Sequence, residues 1–183
     1  MKTLFRLAVA ALAVAATTVA TAQQPKSGGI LRMYQRENPP SMSIHEEATY
    51  SVNVSSMPIY SNLVIYDQHK AQNSVETIVP ELATSWQWSG DNKALTFKLR
   101  EGVKWHDGEP FTSTDVKFTI ELAKNPDSGS FNGAKFAGVT AIDTPDPLTA
   151  VITLGAPNAA LVDAFTFLVM LPEHALKDIA PAD

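Results

Sequence analysis

The residues with the widest chemical repertoire in this chain stand in one run, Trp105-His106-Asp107-Gly108-Glu109-Pro110-Phe111-Thr112-Ser113-Thr114-Asp115. One of four histidines lies beside two acids, with three hydroxyl residues and a further acid behind it. Those types can bind a metal or move protons. Either task needs the groups to converge from a rigid frame, and consecutive residues on an Asp-Gly turn splay instead. His106, Asp107 and Glu109 are therefore expected to form a solvated turn between a strand and a helix. Thr112 suits the N-cap of that helix, with Asp115 at N3 reaching back to the N-cap N–H as a capping box, Asp standing for the usual Glu or Gln. The negative charge also favours the helix start. His45, His69 and His174 lie too far apart in sequence to be read as one site. G-x-S-x-G, H-x-x-x-H and phosphate-loop patterns are not found. No catalytic residue, metal site or cofactor is expected.

Composition narrows the classes further. The 183 residues carry 14 Lys+Arg and 19 Asp+Glu, and no cysteine. Lys2 and Arg6, the apolar run Leu7–Ala16 and the ending Ala20-Thr21-Ala22 form a basic, a hydrophobic and a cleavage region in order. The run is too short for a membrane span. Export is expected, with cleavage after Ala22. Without that leader the balance becomes 14 − 2 = 12 basic against 19 acidic residues, a net charge of −7. Such a surface argues against nucleic acid and anionic lipid as partners. The lack of cysteine excludes a lipoprotein anchor, disulfides and thiolate chemistry. With 45% hydrophobic residues, the chain can build a core without staples.

The elements that must position these residues follow from periodicity. Gln23–Gly29 reads as a polar tail, and Ile30–Gln35 as a strand with a buried first half, stopped by Pro39-Pro40. Ile44–Tyr60 reads as a helix leading into Leu63–Asp67, although Val52-Asn53-Val54 also fits a strand. Ile78–Ala83 is a short apolar piece. Thr84–Ser89 and Ala94–Arg100 both alternate, and Ser89–Lys93 is a turn, so an antiparallel hairpin is expected. Trp86 and Trp88 fall on one face of it. A packing role is favoured for them and for Trp105 over stacking on a ligand. Thr114–Ala123 carries a helical stripe through Val116, Ile120 and Ala123. Phe136–Ile142 and Leu148–Leu154 read as strands around a turn at Asp143–Pro147. Pro157–Phe167 reads as a second helix, followed by the buried run Leu168–Leu171.

Several of these segments also carry a resemblance. Gly28-Gly29-Ile30-Leu31 looks like an opening strand, and Asn38-Pro39-Pro40-Ser41-Met42 like the loop after it. Leu63-Val64-Ile65-Tyr66-Asp67 resembles a "GLV-x-YD" segment with Asn62 in place of Gly. Val79–Trp86 resembles "VPxLAxSW", Leu95–Gly108 resembles "LTFxLRxGVKFHDG", and Pro110–Val116 resembles "PFTAxDV". In this order and spacing they resemble the extracytoplasmic solute-binding proteins of family 5, the peptide- and nickel-type components of ABC importers. The resemblance implies an α/β chain with a mixed sheet and hairpins, the first lobe of a two-lobed, type II-like periplasmic binding protein. Family members are more than twice as long, so residues 30–183 are expected to be a truncated lobe after a signal peptide (1–22) and a tail (23–29). It further implies a periplasmic monomer that closes on a small solute, a peptide by expectation, and docks on a membrane permease. The rival reading is a truncated sensor subunit or an inactive fragment. Ligands in open α/β lobes sit beyond the carboxyl ends of strands. With the resemblance, this points to Pro40, Ser41 and Met42 as ligand contacts.

Overall fold

The computed structural model describes residues 27–30 and 32–180, so the expected signal peptide and its cleavage site lie outside the described residues. Chain contacts divide at Tyr34/Gln35, and the larger unit carries all the regular elements described below. Its centre is a four-stranded sheet in the order β3-β4-β6-β5, built from β3 (Ala83–Trp88), β4 (Ala94–Leu99), β5 (Val139–Asp146) and β6 (Thr149–Leu154). A separate two-stranded ribbon pairs β1 (Val64–Tyr66) with β2 (Ile78–Pro80). Every pair is antiparallel, so the mixture of parallel and antiparallel strands implied by the resemblance is not seen among the described residues. The α/β class itself holds.

The expected hairpin forms, with Trp86 opposite Phe97 and Trp88 opposite Leu95. Its turn places Asn92 at φ 55°, a left-handed conformation that Asn tolerates better than most residues. On β4, Leu95, Phe97 and Leu99 are buried while Thr96 and Lys98 are not. Their neighbours on β6 match that face, since Leu95 lies against Ile152 and Phe97 against the small Ala150. Helix α2 (Ser113–Lys124) lays Val116, Ile120 and Ala123 into the same core. Phe165 closes it, meeting Phe97 edge-on at 4.9 Å and Phe136 at 5.2 Å between ring centroids. Trp86, Trp88 and Trp105 pack against this core, as a packing role requires.

Other elements are shorter than periodicity suggests. Within Ile44–Tyr60 only α1 (Tyr50–Ser56) is helical. Pro58 cannot donate to a further turn, and a separate turn from Ser43 to Glu47 uses the chain before Thr49. Pro157–Phe167 yields only α3 (Leu161–Ala164), because the next amides bond three residues back and tighten out of the α-helix. Phe136 ends a 3₁₀ turn, so β5 begins at Val139 and runs through the expected turn to Asp146. Pro145 is tolerated there because β5 is an edge strand with a register shift between Asp143 and Asp146. The described residues of Ile30–Gln35 do not form a strand. Ile30, Met33 and Tyr34 are 85%, 75% and 90% exposed. A strand needs a hydrogen-bonded neighbour, and no described strand pairs with this segment.

One irregular stretch, from Thr166 to Glu173, is held in an unusual way. It crosses the molecule with little sheet pairing beyond a bridge from Val169 to Asn62 and the bond from Met170 N to Ser61 O. Buried side chains supply further partners. Asn62 Nδ2 donates to Thr166 O at 2.8 Å, and His45 Nε2 to Val169 O at 2.9 Å. Thr119 Oγ1 accepts from Leu171 N at 3.0 Å, and Asp115 Oδ1 accepts from Glu173 N at 2.9 Å. Asn62, which stands where the family motif has Gly, thus has a structural task in this chain. The final helix, α4 (Glu173–Leu176), follows directly.

Asp115 serves twice. The capping box at Thr112 is present, with Thr112 N donating to Asp115 Oδ2 at 2.8 Å, while Oδ1 holds Glu173. Thr112→Ala should cost about 1 kcal/mol, the usual cap loss, and leave ligand affinity of a full-length relative unchanged. Asp115→Ala should cost about 2 kcal/mol or more, because the half-buried Glu173 N–H also loses its acceptor. Urea unfolding midpoints of the two variants give the order, and equal losses would show that the Glu173 bond contributes nothing.

His45 generates a second expectation. Burial pushes its pKa down, outweighing the Val169 carbonyl and Glu46, which favour the charged form. The folded state therefore resists a proton that the unfolded chain accepts near pH 6.5. This contribution is complete above that pH and is lost as pH falls. Midpoints measured between pH 7.5 and 5.5 should decline, and His45→Gln should flatten the decline. A variant with the wild-type slope would assign it to other groups.

Candidate ligand-contacting loop

Pro39 and Pro40 fix an extended path into a short turn in which Ser41 Oγ accepts the Ser43 N–H at 3.2 Å. Pro40 is exposed and Ser41 half-buried. Met42 is 47% exposed, and its Sδ accepts weakly from Ser56 Oγ at 3.8 Å. The three residues do not act as one surface. Met42 lines a cavity of about 210 Å³ with Ile44, His45, Tyr60 and Leu171, and neither Pro40 nor Ser41 does. The walls are mainly apolar, and His45 has its Nε2 committed to Val169. Such a lining suits packing or uncharged binding rather than proton transfer. Sequence reasoning gave His45 no role, because its partner lies 124 residues away.

The run around His106 is a turn. Gly108 takes φ 95°, which excludes most other residues, and Trp105 N closes the turn by donating to Glu109 O at 2.8 Å. His106, Asp107 and Glu109 are all exposed. They do not converge on one another as a proton relay would require. Asp107 instead meets His174, with Oδ2 2.7 Å from Nε2. That hydrogen bond, together with the one from Glu109 N, holds the Asp107 carboxyl below the usual carboxylate range. The same bond to Asp107 raises His174. The pair was not legible in the sequence, since its members are 67 residues apart.

A second groove, of about 300 Å³, runs beside this turn and is lined by Tyr60, Leu82, Val103, Trp105, Phe111 and Met170. Trp105 meets Phe111 edge-on at 5.8 Å. Trp105 therefore combines packing with a cavity wall, the one respect in which a ligand-stacking reading keeps a structural footing. Among the described residues no group of three or more His, Asp or Glu side chains could hold a metal ion.

Comparison with known proteins agrees with this geometry. Residues 77–183 match the family model for bacterial extracellular solute-binding proteins, family 5 Middle. A Brucella ovis protein assigned to peptide binding in an ABC transporter is 47% identical over 122 residues, covering 67% of this chain and 22% of its own. The chain thus spans about a fifth of the length of the curated relatives it matches first. NikZ from Campylobacter jejuni, solved with Ni(L-His), superposes with a TM-score of 0.66 at 30% identity, over 78% of this chain and 27% of that one. The oligopeptide-binding protein AppA of Bacillus subtilis, solved with a nonapeptide, gives 0.71 at 22% identity, over 80% and 28%. The family match covers more than half of the sequence and the fold agrees with the same group: the chain belongs to the bacterial extracellular solute-binding proteins of family 5.

Proposed function

We propose that this chain is the first-lobe portion of an exported, monomeric substrate-binding component of an ABC importer, and that its solute is an oligopeptide or dipeptide. Family membership is the observation that carries this reading. The peptide assignment draws on the Brucella relative. Residues 1–22 serve as the signal peptide, 23–29 as a tail, and 30–183 as a partial lobe. Pro40, Ser41 and Met42 form the contact loop, with Met42 the principal member because it borders the 210 Å³ cavity, which Pro40 and Ser41 do not line. The component performs no covalent chemistry. Transport comes from closure of two lobes on the solute, followed by recognition of the closed form by a membrane permease. Ligand shifts the equilibrium toward closure because only the closed state touches it from both sides.

The alternative is a truncated non-transport fragment or sensor subunit without independent ligand binding. Calorimetry separates the two. Residues 23–183 alone should show no micromolar binding to di- or tripeptides, since one lobe offers half the contacts. A longer protein that contains this segment should bind them, and Met42→Ala should weaken that binding roughly tenfold, about 1.4 kcal/mol. Micromolar binding by the short chain would overturn the requirement for two lobes. A long form that binds no peptide would overturn the solute assignment.

A further inference from the structure

The stretch that leaves the core toward α4 is fastened at three points. Thr119 holds Leu171, Asp115 holds Glu173, and His174 holds Asp107. The first two anchors are buried. The third is open to solvent, with side chains 36% and 53% exposed, so bulk protons reach it freely. It is also the fastening that ties this stretch to a different structural element, the tight turn from Trp105 to Pro110.

We propose that His174 and Asp107 form a proton-operated latch between the Trp105–Pro110 turn and the stretch Leu171–Leu176, closed while the imidazole is protonated and loosened when it is not. The charged groups acting on the imidazole are Asp107 and Glu109 from the turn and Asp115 from the start of α2, with Glu173 beside it in the chain. All are acids, so imidazolium is the counter-ion of the cluster. Losing the proton removes a charge-assisted bond and leaves neighbouring carboxylates without that counter-charge. The raised pKa of His174 sets the sign. The latch is complete below about pH 6.5, the ordinary histidine value, and is lost as pH rises through the higher folded value. Because the pair is exposed, its effect is a shift in population of at most about fivefold rather than an all-or-none change. The inference does not depend on which solute the protein binds.

Nuclear magnetic resonance tests it on the full mature chain. The His174 ring should titrate above 6.5 in the wild type and return toward 6.5 in Asp107→Asn, an exposed and nearly isosteric change that spares the fold. Amide exchange at Glu173–Lys177, corrected for intrinsic base catalysis, should speed up by up to about fivefold between pH 5.5 and 8.5. Asp107→Asn and His174→Gln should both remove that pH dependence. An unchanged His174 titration in Asp107→Asn would overturn the pairing. Exchange independent of pH in the wild type, or equally dependent in His174→Gln, would overturn the latch.

Discussion

The alternation along β4 is the constraint on which the rest of the architecture depends. β4 pairs on both sides, so its backbone is satisfied within the sheet and its side chains decide what the sheet can meet. Leu95, Phe97 and Leu99 turn one face apolar, and that face must be covered. Helix α2 covers part of it. The stretch containing Phe165 and Leu168 covers more, and Phe97, Phe136 and Phe165 interlock at the junction. A one-residue slip of β4 would present Thr96 and Lys98 to the core and expose Phe97, which explains why register is held by both neighbours at once.

Covering the sheet with an irregular segment creates a second demand. Backbone amides and carbonyls taken from water need partners. A helix would meet that need internally and a strand through its sheet neighbours, and Thr166–Glu173 is neither. Asn62, His45 and two residues of α2, Thr119 and Asp115, meet it from three separate parts of the chain. Each is polar and buried because each has a fixed partner in the backbone. The arrangement also explains why the chain can keep a buried histidine in its neutral form. His45 is placed for its bond to a carbonyl, and burial then depresses its pKa as a by-product.

Legibility in the sequence followed the range of the interaction. The β3–β4 hairpin, the capping box and the α2 stripe are each encoded within one short continuous segment, and each was readable there. The His106–Glu109 turn was readable for the same reason, since an Asp-Gly step and consecutive polar residues leave few alternatives. Ile30–Gln35 looks like a strand locally, yet strand formation depends on a neighbour that local pattern does not contain. The length of α1 depended on Pro58 and on the turn from Ser43 to Glu47, and that of α3 on amides that bond three residues back. At the proposed contact loop the rigid prolines predicted a defined turn, and Met42 borders the 210 Å³ cavity, whose lining includes neither Pro40 nor Ser41. The His174–Asp107 and His45–Val169 pairs join residues 67 and 124 positions apart, beyond the reach of any periodicity.

The stretch held by side chains has a different failure mode from the sheet beside it. A strand that loses its register moves as a whole, carrying every residue to a wrong neighbour. A segment pinned at Thr166, Val169, Leu171 and Glu173 has no register to lose. Removing one pin frees one peptide group and leaves the others in place. Damage along this path is therefore graded and local, and the segment can yield at one end, beyond Glu173, while the core it covers stays shut.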